Sequence, residues 1–124
     1  SDIDENISIK SYASIFRQLF NASYLTAGTS EEALKFLTQT DFTQALRAGV
    51  PAEIQVAHKF GERTILYKTE NKTKRQFHDC GIVYFPKNPY LLCVMTKGED
   101  YGKLVPIVRE ISEKVYNEVK SREN

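Results

Sequence analysis

The spacing of apolar residues divides the chain into three parts. Between residues 8 and 49, apolar side chains recur three or four positions apart, which is typical of amphipathic helices. This spacing predicts a helix from Ser8 and a second helix capped by Thr29 or Ser30. A short third helix is predicted to end at Gly49. The inward face of the first helix is predicted to be Tyr12, Ile15, Phe16, Leu19 and Phe20.

The middle of the chain changes to the pattern of β-strands. Apolar and polar residues alternate around Val56, and the ranges 76–85 and 90–96 are nearly continuous apolar runs. Such runs are typical of strands whose two faces are both covered. The polar string 68–75 predicts an exposed turn between two strand arms. The middle of the chain therefore predicts three antiparallel strands.

The last part of the chain predicts one long helix, from about residue 103 to residue 122. Pro106 is compatible with this helix if it falls in the first turn, where its missing N–H is not needed. One apolar stripe along the helix requires a sheet face to cover, and the sheet requires a cover. The stripe consists of Leu104, Val108, Ile111, Val115 and Val119.

These patterns predict an α+β fold, with a three-stranded antiparallel sheet, N-terminal helices and a long C-terminal helix. The length of 124 residues suits one hydrophobic core, so 1–124 is interpreted as a single domain or a fragment. Within it we distinguish a helical segment 1–50, antiparallel strands 51–98 and a C-terminal helix 99–124.

Composition and charge exclude some partners. The formal net charge is +1, so there is no basic footprint for nucleic acid. No apolar run is long enough to span a bilayer, and the acidic, polar start is unlike a signal peptide. If the natural gene is longer, its targeting signal would lie upstream.

The two cysteines, Cys80 and Cys93, lie in different predicted strands. A hairpin around Pro86 to Pro89 would place them about two residues out of register, which is long for a disulfide. We therefore expect two buried free thiols that act as small apolar side chains.

The segment around Lys59, Phe60 and Gly61 carries the most specific chemical signal. A strand that ends in a lysine and a glycine places a cation beside bare backbone, where a carboxylate could be held. The segment resembles the Lys-Thr-Gly motif of the penicillin-recognising serine hydrolases, the class A β-lactamases and related penicillin-binding proteins. Other stretches follow the same order as the C-terminal part of that family, namely residues 37–42, 49–52, 78–84 and 94–98.

The resemblance assigns roles at this segment. It implies that Lys59 is catalytic, because its ammonium would stand beside the reacting serine and attract the substrate carboxylate. Gly61 would leave room for the ligand, and the backbone N–H of Glu62 would form half of an oxyanion hole. Phe60 departs from the family, because a phenyl ring cannot donate a hydrogen bond as threonine does. Arg63 is an alternative donor to the carboxylate.

The chain lacks the other two motifs of the family. No serine is followed by a lysine three residues later, and Ser-Asp-Asn does not occur. We therefore interpret the chain as the C-terminal fragment of a β-lactamase-like serine hydrolase, inactive by itself, with a parent that acts on β-lactams or peptidoglycan peptides by acyl-serine chemistry. The alternative is a non-catalytic binding module of the same ancestry.

The resemblance also implies where the parent acts and what it needs. It implies an extracytoplasmic site, no cofactor and no metal. The partners would be an upstream part of the same protein or a second copy of the chain, and we expect a dimer. His58 and His78 could form a metal pair or an acid–base couple, but isolated histidines on strands are more often structural. Asp79 is expected to be a buried acceptor that needs a partner.

Overall fold

A computed structural model describes residues 8–21, 27–67 and 71–123 of the chain. The first helix, α1, is Ile9–Asn21, and the hydroxyl of Ser8 accepts a hydrogen bond from the Ser11 N–H at 3.1 Å. This confirms the start predicted at Ser8. The second helix, α2, is Ala27–Leu37, so the predicted caps Thr29 and Ser30 lie inside it.

The segment between α2 and the sheet forms only a short 3-10 helix, Arg47–Gly49, where a third α-helix was predicted. Its end is fixed by a close contact with the last helix of the chain. A side chain at Gly49 would come within 2.6 Å of the backbone of Arg109 and Glu113. The Ser112 hydroxyl donates to the Leu46 carbonyl at 2.7 Å, which ties the same segment to that helix.

The sheet has three antiparallel strands, as predicted, in the order β1-β2-β3. Strand β1 is Val56–Tyr67, β2 is Lys72–Val83 and β3 is Tyr90–Gly98. The last helix, α3, is Tyr101–Arg122. None of the helices described is long and apolar enough to cross a membrane.

Helix α3 begins earlier than the sequence suggested. The side chain of Asp100 accepts a hydrogen bond from the Gly102 N–H at 2.9 Å and so caps the helix. Pro106 is consequently the sixth residue of α3 and not part of the first turn, which corrects the prediction. Because proline has no N–H, Pro106 cannot donate the hydrogen bond that the Gly102 carbonyl would receive in a regular α-helix.

The sheet has a hydrophobic cluster on each face, because successive residues of a strand point to opposite sides. The α3 face carries Val56, Phe77, Val83 and Val94 against Leu104, Val108 and Tyr116. The α1 face carries Ala57, Cys80 and Ile82 against Phe16 of α1 and Leu34 of α2. Both faces of the sheet are therefore covered, as the nearly continuous apolar runs of the strands predicted.

Cys80 and Cys93 form a disulfide, which corrects the prediction of two free thiols. The ladder between β2 and β3 ends at Val83 paired with Tyr90, so the two cysteines are directly opposite, with their Cα atoms 4.0 Å apart. The turn is longer than predicted, because Phe85 folds back and donates its N–H to the Val83 carbonyl at 2.9 Å.

Candidate functional site

The outer edge of β1 is the feature on which the candidate site is built. Strand β1 pairs with β2 on one side only in the sheet described. The Tyr84 N–H donates to the Gln55 carbonyl at 3.0 Å, and this bond sets the alternation of the ladder. Residues an odd number of positions further along β1 therefore direct their backbone groups away from β2. The N–H and C=O groups of His58, Phe60 and Glu62 accordingly point to the open edge.

Lys59 places a positive charge at this edge. Its side chain is exposed, and its ammonium donates to the Phe60 carbonyl at 2.9 Å. The same nitrogen lies 4.6 Å from the centroid of the Phe60 ring, within the range of a cation–π interaction. A cation therefore stands beside outward-pointing N–H groups, which is an arrangement that can bind an anionic ligand.

The side chain of Phe60 belongs to the core and not to the edge. Its ring stacks on Phe42, with the ring centroids 4.1 Å apart, and lies 6.2 Å from the ring of Phe77. The ring therefore holds the 42–50 segment against the α3 face of the sheet. The ring is partly buried, and the backbone of Phe60 is the part that faces the open edge.

The space above Gly61 is filled by another residue. Gly61 pairs with His78 across β1 and β2, and a side chain on Gly61 would collide with Cε1 and Nε2 of the imidazole. On its other side the imidazole meets the ring of Tyr12, with the centroids 4.5 Å apart and the planes at 66°. The absence of a side chain at Gly61 therefore accommodates His78 in this structure.

Glu62 and Arg63 follow Gly61 along β1. Both line a small cavity of about 150 Å³, together with Thr64, Arg75 and Tyr101. Burial raises the pKa of the Tyr101 hydroxyl, and the neighbouring Glu62 carboxylate raises it further. Arg63 thus shares this cavity with a second arginine and a phenol.

Asp79 is fully buried and has two partners, as expected. It accepts a hydrogen bond from the Leu46 N–H at 3.1 Å and lies 2.9 Å from Nδ1 of His58. The side chains of Asp79 and His58 lie on the α3 face of the sheet, whereas the side chain of His78 lies on the α1 face. The structure therefore does not bring His58 and His78 together as a pair. Among the residues described, no three His, Cys, Asp or Glu side chains cluster as metal ligands would.

The strand register adds two residues to the surroundings of Lys59 that sequence reasoning had not placed there. Cys80 is paired with Lys59 across the sheet, so the disulfide lies beside it on the α1 face. Tyr12, which the helical pattern assigned to a core face, contacts His78. The pairing of β1 with β2 would have revealed Cys80 beside Lys59. The contact of Tyr12 with His78 depends on how α1 packs on the sheet, which the strand register does not give.

The structure is thus an α+β domain with a cationic strand edge. Comparison with known proteins identifies its family. Residues 2–119 match the family model described as the beta-lactamase enzyme family. The chain belongs to this family, which confirms the resemblance inferred from Lys59, Phe60 and Gly61 and the predicted fold class. A search of curated protein sequences gives no match.

Two solved structures share the fold. A structure of PBP-A has a TM-score of 0.73 and 19% sequence identity, over 90% of this chain and 39% of that one. A mutant of PBP-A, as an acyl-enzyme complex with penicillin G, has a TM-score of 0.72 with the same identity and coverage. The chain thus spans about two fifths of the length of these proteins.

Proposed function

We propose that this chain supplies the carboxylate-binding strand of a β-lactamase-like serine hydrolase. The observation that carries the proposal is the open edge of β1, where the Lys59 ammonium stands beside the outward N–H groups of Phe60 and Glu62. An extended ligand with an acyl group can pair with such an edge through its backbone-like groups. Its carboxylate would lie near Lys59, and its reacting carbonyl oxygen near the Glu62 N–H.

In this proposal the nucleophile comes from elsewhere. Acyl transfer needs a serine beside a base, and no Ser-x-x-Lys occurs in this sequence. The serine would be supplied by an upstream part of the same protein or by a second copy. The substrates would be β-lactams or peptidoglycan peptides, and the acyl-enzyme of PBP-A with penicillin G supports this class. No cofactor or metal takes part.

We also propose that the parent protein works outside the cytoplasm. The support is the disulfide between Cys80 and Cys93, because disulfides persist mainly in oxidising compartments. Family membership points in the same direction.

The alternative is a binding module without catalysis. It is favoured by one observation: Phe60 has no hydroxyl donor where the Lys-Thr-Gly motif has threonine, and its ring packs on Phe42 instead. Such a module would keep the cationic edge and bind a cell-wall peptide or a protein segment without acylation.

The test combines the isolated chain with the protein from the full reading frame. We expect the isolated chain to give no turnover of a chromogenic cephalosporin and no mass adduct with penicillin G. In the full-length protein, Lys59→Ala should weaken binding of a carboxylate ligand about tenfold to a hundredfold. Lys103→Ala, at an exposed position of α3, is the matched control and should have no effect.

Each arm can contradict a part of the proposal. A covalent adduct on a serine of the isolated chain would overturn the claim that the nucleophile lies elsewhere. A full-length protein that binds the ligand but forms no acyl-enzyme would establish the binding module. Equal affinities of Lys59→Ala and the unmodified protein would remove Lys59 from the site.

A further inference from the structure

His78 presents an imidazole at the place where β1 itself has no side chain. Lys59 and Gly61 lie on the same face of β1, about 6.6 Å apart along the strand. Because the His78 ring lies over Gly61, it is the neighbour of Lys59 on this face. The Lys59 ammonium lies at the Phe60 carbonyl on the open edge, so a carboxylate that contacts Lys59 and His78 together would lie between the edge and the α1 face.

The nitrogen that faces Gly61 is without a partner. Nε2 of His78 is buried and has no hydrogen bond within the part of the chain that the structure describes. An unsatisfied buried polar group is costly, and each such group in a native structure calls for a partner such as a water, an ion or a ligand. Gly61 has no side chain to obstruct the imidazole, so Nε2 and Cε1 lie over β1 at the strand that carries Lys59.

Several titratable and charged groups lie around the His78 imidazole and influence its protonation. Tyr12 of α1 covers it, Lys59 and Arg63 are on the same face of β1, and Lys97 is on that face of β3. Asp79 follows it in β2 on the opposite face. Burial lowers the pKa of His78, Asp79 opposes this shift, and Lys59 adds to it. The ring is therefore neutral near pH 7 and gains a proton only in more acidic solution or when an anion binds.

We propose that His78 is a ligand-binding residue of the β1 edge, and that Nε2 donates to the ligand carboxylate the hydrogen bond that Phe60 cannot. The inference rests on the proposed function, since it assigns a second group to the same carboxylate. A second binding group of this kind predicts a pH dependence that binding by Lys59 alone does not predict. Affinity for a carboxylate ligand rises as the pH falls, because the imidazolium binds an anion more strongly than the neutral ring.

The test uses the two histidines of the chain as separate reporters. The imidazole proton signals of the 124-residue chain are followed by NMR from about pH 8 to pH 5. The probes are penicillin G, its methyl ester, which lacks the carboxylate, and acetate. We expect penicillin G and acetate to shift the His78 signal and the ester not to. His58 is the internal control, because it is buried against Asp79 on the other face.

The size of the effect separates a binding residue from a structural one. We expect the affinity for penicillin G to be about tenfold higher at pH 5 than at pH 8 in the unmodified chain. His78→Leu should abolish this pH dependence, and His78→Gln, which keeps an N–H donor, should bind with an intermediate affinity at all pH values. Signals of the core should be unchanged in both variants.

The outcomes distinguish the inference from the proposed function. If penicillin G binds through Lys59 but neither shifts His78 nor depends on pH, the inference is overturned and the proposed function remains. If only acetate binds and shifts His78, the β-lactam substrate class fails while His78 remains an anion-binding group. If no probe shifts the His78 signal, His78 is not a ligand-binding residue.

Discussion

At the scale of single residues, Asp79 connects three parts of the chain. It is fully buried in β2, accepts the Leu46 N–H from the segment before the sheet, and contacts His58 in β1. Asp79→Ala would leave a buried backbone N–H and a buried imidazole without an acceptor. We expect a loss of about 3 kcal/mol in the free energy of unfolding, measured with urea.

The matched control is Asp41→Ala, which removes an exposed carboxylate and should change stability by less than about 0.5 kcal/mol. Asp79→Asn, which keeps one oxygen acceptor, should lie between the two. A stable Asp79→Ala variant would mean that water replaces the carboxylate, so that Asp79 would not hold the segment in place. The sequence predicted that Asp79 needs a partner because buried charge is costly. It could not identify Leu46, since a backbone donor 33 residues away leaves no trace in the pattern.

At the scale of elements, the disulfide ties β2 to β3 across 13 residues of chain. A cross-link that closes a loop of this length stabilises a fold by about 3 kcal/mol, mainly by restricting the unfolded chain. We therefore expect the reduced protein to unfold at a lower urea concentration than the oxidised protein, with a difference of about 2–3 kcal/mol. Equal midpoints would contradict this expectation.

The control for this measurement is the double variant Cys80→Ala with Cys93→Ala, whose unfolding should not respond to reductant. The same pair shows where sequence reasoning reached its limit. Strands β2 and β3 were predicted from their apolar runs, but register depends on where the ladder stops. Because the chain turns back at Phe85, the last pair of the ladder is Val83 with Tyr90, and this register places Cys80 opposite Cys93. Similarly, the cap at Asp100 moved the start of α3 and placed Pro106 inside the helix.

At the scale of the whole molecule, periodicity predicted the layers of the fold, and the motif predicted the family. Both depend on local sequence, in which core-facing residues repeat at fixed spacing. The residues that surround Lys59 could not be predicted in this way. The filling of the space above Gly61 by His78 depends on side-chain packing between two strands, and no spacing along the chain encodes it.

Among the residues described, β3 has a partner strand on one side only, which leads to a prediction about assembly. In β3, Thr96 pairs with Phe77, and its hydroxyl donates to the Phe77 carbonyl at 2.9 Å. The neighbouring backbone groups of Met95 therefore face away from β2. An uncovered strand edge of this kind favours pairing with another chain.

Helix α3 provides apolar surface next to this edge. The 3-10 helix contacts α3 at Arg109 and Glu113, on the flank towards β1. Ile107 and Ile111 lie on the other flank, towards β3, and are 42% and 36% exposed. A partner that pairs with the β3 edge and covers Ile107 and Ile111 would satisfy polar backbone groups and bury apolar side chains, which would stabilise an interface.

We therefore expect the chain to form a dimer through β3 and the outer flank of α3, with sedimentation showing a shift to dimer up to about 100 µM. Met95→Pro removes an outward N–H without breaking the ladder to β2, and the pair Ile107→Lys with Ile111→Lys charges the helix flank. Both should shift the equilibrium to monomer. Ile15→Lys, at an apolar position of α1 that is 50% exposed, is the control and should leave the dimer intact. A folded monomer at the highest concentration would show that the chain protects its own edge.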